Sequence, residues 1–411
     1  MTSSNTHQTP NAEVKTRAPL YAVIMAGGAG ERLWPESRAA RPKPFLPLAR
    51  NGESLIRATY ERLDSLVPHE NRLVVAGRAF ENLARKELPE LRRDNLLLEP
   101  CGRDTAPCVA WAAFEIARRD PDAVMIVLPS DHVVHPVENF RSALARAVEL
   151  VHDDPTRLVA LGIRPRETST AFGYIERGEK IGNAPNAFRV REFEEKPNVK
   201  KVAEGKKPSK LLAKYAPAFQ ENPDPDVARK FLESQDYLWN AGVFVWRAAT
   251  ILKLIRNFEP ELAETVESFE KLAARDSQWR DSREFDALFA RAKKISIDYA
   301  VLERATNVAV VATDDFEWND LGSFNALAEI ATEQRDERGN LCQGARLVAT
   351  DASGVHVRAS GRGKKLVVVS GLDNLLVVET EDALLVAKKG DASALKKIVE
   401  QIRAQDLDEF L

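Results

Sequence analysis

Short unbroken apolar runs alternate with longer segments of helical periodicity along most of the chain. Residues 21–26 (YAVIMA) and 124–128 (VMIVL) contain no charged residue, the pattern of strands buried on both faces of a parallel sheet. Residues 72–76, 95–99, 157–163 and 307–313 read as further strands, and 54–66, 79–88, 108–119 and 137–151 as helices with one apolar face. Thr105 is the predicted N-cap of the helix over 108–119, with Pro107 in its first turn. This alternation predicts right-handed βαβ units and an α/β fold on a doubly wound, mainly parallel sheet.

Residues 171–176 and 188–193 are β segments, and 198–237, rich in Lys, Glu and Pro, predict surface helices. Further helices are predicted over 248–258, 262–272, 285–292 and 324–332. From Asp336 the texture changes. Short runs at 346–349, 355–358, 366–369, 375–379 and 384–387 are separated by Gly, Asp and Asn turns, which predicts a compact β unit, a few turns of β-helix. A helix over 392–403 closes the chain. The predicted organisation is a mobile tail over 1–19, a large α/β domain over 20–335 and a C-terminal β-rich domain over 336–411.

Composition narrows the function. The 411 residues are 44% hydrophobic and 29% charged, with a formal net charge of −3. That balance argues against a general nucleic-acid binder or a membrane-surface protein. Three cysteines, Cys101, Cys108 and Cys342, lack metal-ligand spacing and predict a reducing compartment without a disulfide framework. No apolar run has transmembrane length and no secretory signal pattern is present, so a cytoplasmic location is expected.

Candidate chemistry begins directly after the first strand. Gly27, Gly28 and Gly30 follow Ala26, with Arg32 and Lys43 close behind. Glycines there let backbone N–H groups approach an anion, and the carboxyl end of a strand is where open α/β sheets bind ligands. The spacing is neither G-x-G-x-x-G nor a Walker loop. Trp34-Pro35, Arg38 and Pro42-Lys43 accompany the loop, and the group reads as a phosphate site. The strand over 124–128 ends in Pro129-Ser130-Asp131-His132. Asp131 there is either a hard ligand for Mg2+ or a cap of the next helix. His132 and His135 lack a third zinc ligand at recognisable spacing. Lys196, held extended by Pro197, is a cation for a sugar phosphate, and Asn240 offers a donor and an acceptor to hydroxyls, with Gly242 permitting close approach.

GGAGERLWPESR followed by PKPFLPL resembles the signature of the sugar-nucleotide pyrophosphorylases, and RLWP with PKxF is similar to the mannose-1-phosphate guanylyltransferase branch. The chain departs from that pattern at Glu31 (usually Thr or Ser), Glu36 (Leu), Pro44 (Gln) and Asp104 (Asn). The resemblance implies a Rossmann-like fold of the nucleotide-diphospho-sugar transferase type, with Ala26, Gly27, Gly28, Gly30, Arg32, Lys43 and Ser130 around the nucleotide. LLEPCGRDTAP is similar to LLEP-x-GRNTAP, which implies that Glu99, Asp104 and Thr105 lie beside the base. A plain cap-and-turn is the other reading of that segment. FGYIE, FEEKP and WNAGVF recur in the family's order, which implies that Gly173, Tyr174, Glu195, Lys196, Asn240 and Gly242 bind the sugar phosphate. ISIDYAVL resembles SIDYAVME, placing Asp298 on the sugar pocket, although Ser296 or Asp298 is equally compatible with an N-cap. Trp318-Asn319-Asp320-Leu321-Gly322 resembles W-x-D-x-G, which makes Asp320 a second metal carboxylate or, alternatively, a cap of the helix over 324–332.

The activity implied by the resemblance is GDP-mannose formation from GTP and mannose 1-phosphate, by metal-assisted in-line attack on the α-phosphate. The catalytic set is Arg32, Lys43, Asp131 and Lys196. Mg2+ or another divalent cation on Asp131 and Asp320 is the expected cofactor, and a homodimer that binds neither nucleic acid nor membrane is the expected assembly. Two alternatives stay open: another sugar 1-phosphate or nucleotide, and a non-catalytic regulatory homologue that binds sugar nucleotide.

Overall fold

Alternate residues of the first strand enter different cores. Tyr21 and Val23 belong to one apolar cluster, and Ala22, Ile24 and Ala26 to another, which is why that run carries no polar residue. The computed structural model describes residues 17–28, 30–167, 169, 172–194, 236–360, 364–390 and 392–411. Its strands are β1 (Leu20–Ala26), β2 (Arg72–Gly77), β3 (Leu96–Glu99), β4 (Val124–Pro129), the short β5 (Val133–His135), β6 (Leu158–Ile163), β7 (Tyr174–Lys180), β8 (Ala187–Glu194), β9 (Tyr237–Arg247) and β10 (Val308–Thr313). All but β5 form a nine-stranded sheet in the order β3-β2-β1-β4-β9-β6-β10-β8-β7. β1 runs parallel to β2 and β4, and β10 parallel to β6. Between these halves β9 is antiparallel to both neighbours, so the sheet is mixed.

Helices cover both faces. α1 (Leu55–Glu61), α2 (Glu81–Glu87) and α4 (Val137–Asp153) bury Ile56, Ala84 and Leu144 in the core of Ile24. On the other face α3 (Thr105–Arg119), α5 (Ala248–Phe258), α6 (Pro260–Arg275) and α7 (Arg283–Arg291) bury Trp111, Ile251, Phe269 and Phe285 with Val23. Helix α3 starts at Thr105, earlier than its periodicity predicts, and its N-cap is Asp104 rather than Thr105. The Asp104 carboxylate accepts from the Thr105 amide at 2.8 Å, because carboxylates satisfy first-turn N–H groups better than a hydroxyl that is engaged elsewhere.

The remaining chain adds β11 (Glu317–Asn319), paired antiparallel with β5, and α8 (Phe324–Glu329). Then come β12 (Leu341–Gln343), β13 (Arg346–Thr350), β14 (His356–Ala359), β15 (Leu366–Ser370), β16 (Leu375–Glu379) and β17 (Leu384–Lys388). β12, β14 and β16 stack in parallel as one wall, β13 and β15 as another, and β17 folds back antiparallel on β16. Ala352, Val355, Val357, Val369 and Val377 fill the space inside, the arrangement of short β-helix rungs. The closing helix α9 (Ala392–Ala404) inserts Leu395 and Val399 into a third core with Leu33, Trp34, Leu376 and Leu385. Among the described residues no helix is long and apolar enough to cross a membrane.

Candidate functional site

Where β1 ends at the buried Ala26, the chain turns through Gly27 and Gly28. A Cβ at either would meet nothing within 4 Å, Gly28 has φ +97, and both glycines are exposed. Gly30, at φ +64, is wedged instead: a Cβ there would lie 2.7 Å from Lys43 Cβ and 2.8 Å from Ser37 Oγ. Arg32 is exposed and has no hydrogen bond or ion pair among the described residues. Ser130 follows β4, its amide donating to Met25 O at 3.1 Å. Its Oγ is buried without a partner among the described residues.

Lys43 ties the two distant aspartates together. Its buried ammonium donates to Asp131 Oδ2 at 2.8 Å and to the Asp320 carbonyl. Burial drives the Asp131 carboxyl upward, but the Lys43 ammonium and His132 outweigh it and hold the group below its usual range. The convergence comes from the β5–β11 pairing, which sets Asn319 opposite Val133 and so brings Asp320 beside the turn that carries Asp131. Neither aspartate is a helix cap. The N-cap of α4 is Pro136, and that of α8 is Ser323, whose Oγ accepts from the Ala326 amide at 3.3 Å. The Asp320 carboxylate accepts from the Gly322 amide at 3.0 Å, and a Cβ on Gly322 would stand 2.9 Å from Asp320 Oδ2. His132 Nδ1 accepts from the Trp318 indole at 3.2 Å, and burial holds the ring neutral down to about 4. The sequence placed Trp318 and Gly322 in the motif around Asp320 and weighed His132 only as a zinc ligand; it did not reveal the Trp318–His132 bond or the Gly322 amide on the Asp320 carboxylate.

Beside the aspartates lies a cavity of ≈ 210 Å³ lined by Thr105, Gly173, Asn240, Gly242, Asp298 and Asp320 among others. Asn240 Nδ2 donates to Asp298 Oδ1 at 2.9 Å, and Asn240 Oδ1 accepts from the Gly242 amide at 3.0 Å. Its amide group therefore orients the Asp298 carboxylate as well as facing the cavity. Asp298 opens a single π-helical turn, Asp298–Leu302, and caps no helix; Ser296 Oγ accepts from the Tyr299 amide at 3.3 Å. Tyr174 is buried and its hydroxyl donates to the Ser169 carbonyl at 2.5 Å, so it shapes the loop ahead of β7. Glu195 and Lys196 lie outside the described residues.

The residues grouped around the base separate. Thr105 lines the cavity, with Oγ1 accepting from the Ile297 amide at 2.8 Å. Asp104 is exposed and serves as the α3 cap. Glu99, at the end of β3, has Oε1 buried without a partner among the described residues, and burial pushes its carboxyl up to about 7.

Trp34 and Arg38 do not belong to the anion site, contrary to their grouping with the loop. The Trp34 indole donates to the Phe410 carbonyl at 2.7 Å, and Arg38 reaches that carbonyl, Thr380 Oγ1 and Asp382 Oδ1. Glu31 and Glu36 are likewise paired with Arg403 and Arg358. Charge alone does not reveal which side of a loop a residue serves.

Comparison with known proteins gives this geometry a lineage. The family model for nucleotidyl transferases matches residues 21–337, and that for the mannose-phosphate isomerase/GMP-like β-helix domain matches 345–402. The mannose-1-phosphate guanylyltransferase of Escherichia coli is 33% identical over 394 residues, covering 94% of this chain and 74% of that protein. The enzyme of the same name from Klebsiella pneumoniae is 33% identical over 394 residues, covering 95% and 75%. A crystal structure described as mannose-1-phosphate geranyltransferase from Thermus thermophilus is 36% identical, with a TM-score of 0.76 over 93% of this chain and 99% of that one. With Lys43 reaching both aspartates behind the glycine loop and these matches along most of its length, the chain belongs to the nucleotidyl transferase family, and its homologues are mannose-1-phosphate guanylyltransferases.

Proposed function

We propose that this chain transfers a guanylyl group from GTP to mannose 1-phosphate, giving GDP-mannose and pyrophosphate. The observation that carries the reading is Lys43, whose Cβ stands beside Gly30 and whose ammonium reaches Asp131 and Asp320, the latter lining the cavity of Asn240 and Asp298. An oxygen of the sugar phosphate bonds to the α-phosphorus, and the bond to the β-phosphate oxygen breaks, its electron pair leaving with pyrophosphate. The nucleophile is already an anion at neutral pH, so no side chain has to remove a proton. Bringing two polyanions together is the difficulty, and positioned charge answers it.

In this reading the amides of Gly27, Gly28 and Gly30, with Arg32 and Lys43, bind the triphosphate, next to Ala26 and Ser130. Lys196 and Glu195 approach the sugar phosphate, while Gly173, Gly242, Asn240, Asp298 and Thr105 surround the hexose. Tyr174 acts through Ser169. Glu99 selects guanine: its buried oxygen lacks a partner among the described residues, and guanine's N1–H and N2–H₂ are donors able to satisfy it. Asp104 fixes the turn beside it.

The donor set also fits a divalent cation. Asp131 and Asp320 supply hard carboxylate oxygens, the former held ionised, and Mg2+ takes one or two carboxylates and completes its octahedron with water and phosphate oxygens. Among the described residues no group of three or more His, Cys, Asp or Glu is placed to hold a metal, so the proposed site rests on the two carboxylates alone. Bound there, the cation would offset triphosphate charge. A homodimer acting in the cytoplasm completes the reading.

Pyrophosphate release from GTP, dTTP, UTP and CTP against a panel of sugar phosphates tests it. The expected result is fastest release with GTP and mannose 1-phosphate, abolished by chelation of divalent cations. Faster release with another pair, or GDP-mannose binding without any release, overturns it.

A further inference from the structure

Three charged side chains of the glycine loop, Glu31, Glu36 and Arg38, are taken up by the C-terminal unit. The Glu36 carboxylate accepts from Arg358 Nε at 2.8 Å and Nη2 at 3.0 Å, a two-pronged pair whose side chains are 18% and 15% exposed. Glu31 pairs with Arg403 of α9 at 2.8 Å. Arg38 reaches Asp382 at 2.7 Å, and the Ala39 amide donates to the Leu411 carbonyl at 3.0 Å. Leu33 and Trp34 share their core with Leu395 and Val399. Next to Glu36, Ser37 Oγ and Lys43 Cβ border the space that a Cβ on Gly30 would occupy, 2.8 and 2.7 Å from it. A shift of Glu36 would carry its neighbour Ser37 with it, beside the left-handed turn at Gly30 and the Lys43 side chain.

We propose that the C-terminal β unit is a positioning element of the nucleotide site, with Arg358 as its chief positioning residue acting through Glu36. Its docking holds the glycine loop in the shape in which the amides and Lys43 meet a triphosphate. Two-pronged arginine–carboxylate pairs fix geometry as well as charge, and misplacement of a binding loop by a fraction of an ångström is felt at the ligand. The inference rests on the loop being the nucleotide site.

The test compares full-length wild type with Arg358→Gln, Arg358→Lys and the exchanged pair Glu36→Arg/Arg358→Glu. The readouts are nucleoside triphosphate Kd, kcat, both KM values and Tm. It uses whichever nucleoside triphosphate the wild type binds most tightly of GTP, dTTP, UTP and CTP, each with Mg2+. A wrong base assignment then appears in the wild type, and a wrong positioning role only in the variants. Arg358→Gln is expected to raise the triphosphate Kd and KM about tenfold and to lower kcat as Lys43 is misplaced, leaving the sugar-phosphate KM within about threefold. Arg358→Lys recovers part of the loss, because it restores charge without the fork, and the exchanged pair recovers most of it. A fall in Tm with triphosphate Kd within about twofold of wild type, or an exchange that restores Tm but not affinity, would make the contact merely structural and overturn the proposal.

Discussion

Replacing Lys43 with Met keeps an unbranched side chain one atom shorter and removes its charge. In the native protein the ammonium stands 2.8 Å from Asp131 Oδ2, and the side chains of the pair are 8% and 25% exposed. Stripping one partner from a fully buried ion pair costs about 3–5 kcal/mol. Asp131 keeps a quarter of its surface in water, so solvent screening reduces this to about 1–2 kcal/mol. Loss of one preorganised charge from the reacting centre costs about 10²–10³ in kcat. Turnover should thus fall far more than the folded population does. Urea unfolding supplies the first number, and pyrophosphate release at saturating substrates supplies the second. A pH series adds a sign. Asp131 is held below its usual 3.8, so its contribution to stability is present above 3.8 and lost as pH falls through the folded value. Without Lys43, burial is less opposed, the folded value rises, and that acid-side loss shrinks. A kcat within about tenfold of wild type, or a fall in turnover matched by the loss of folded protein, would refute the reasoning.

Arg32→Ala separates chemistry from stability: the exposed guanidinium has no partner among the described residues, so unfolding should move by less than about 0.5 kcal/mol. Its turnover should drop at least about 10²-fold, and near-normal pyrophosphate release would remove Arg32 from the reaction. Gly162→Ala should destabilise by about 1–3 kcal/mol, read from the urea midpoint, since a Cβ at this irregularity between β6 and β9 would lie 2.7 Å from both Leu238 Cδ1 and Val310 Cγ2; an unchanged midpoint contradicts it. His356 is buried in the β unit with neither ring nitrogen partnered among the described residues, and burial lowers its pKa from 6.5 to about 3. The unfolded chain takes up that proton below 6.5 and the folded chain declines it down to about 3. Stability present above 6.5 is therefore lost as pH falls, by about 1.4 kcal/mol per unit. His356→Leu should flatten the acid limb by that slope, and an unchanged limb would show that the ring is protonated in the fold.

Much of the frame was legible along the chain. β1 and β4 stand out because strands buried on both faces must be apolar throughout, and α4 and α5 because one helical face must be. β9 was legible only as a motif: Asn240 and Gly242 interrupt its apolar run, and they are there because the strand also walls the cavity. β5 and β11 span three residues each, too short to show any period, yet their pairing brings Asp320 to Asp131. The Thr105 hydroxyl looked like a cap, but Ile297, remote in sequence, had already engaged it.

By itself the sequence determined the strand–helix alternation, the glycine loop with its cations, the change to β rungs after Asp336 and the family resemblance, all of which are written in neighbouring residues. Tertiary structure alone decided that Lys43, Asp131 and Asp320 meet, that Trp34 and Arg38 serve the C-terminal unit, and that Asp104 rather than Thr105 caps α3. Contacts of that kind depend on strand order and on which partner reaches a polar group first, and neither is encoded in local spacing.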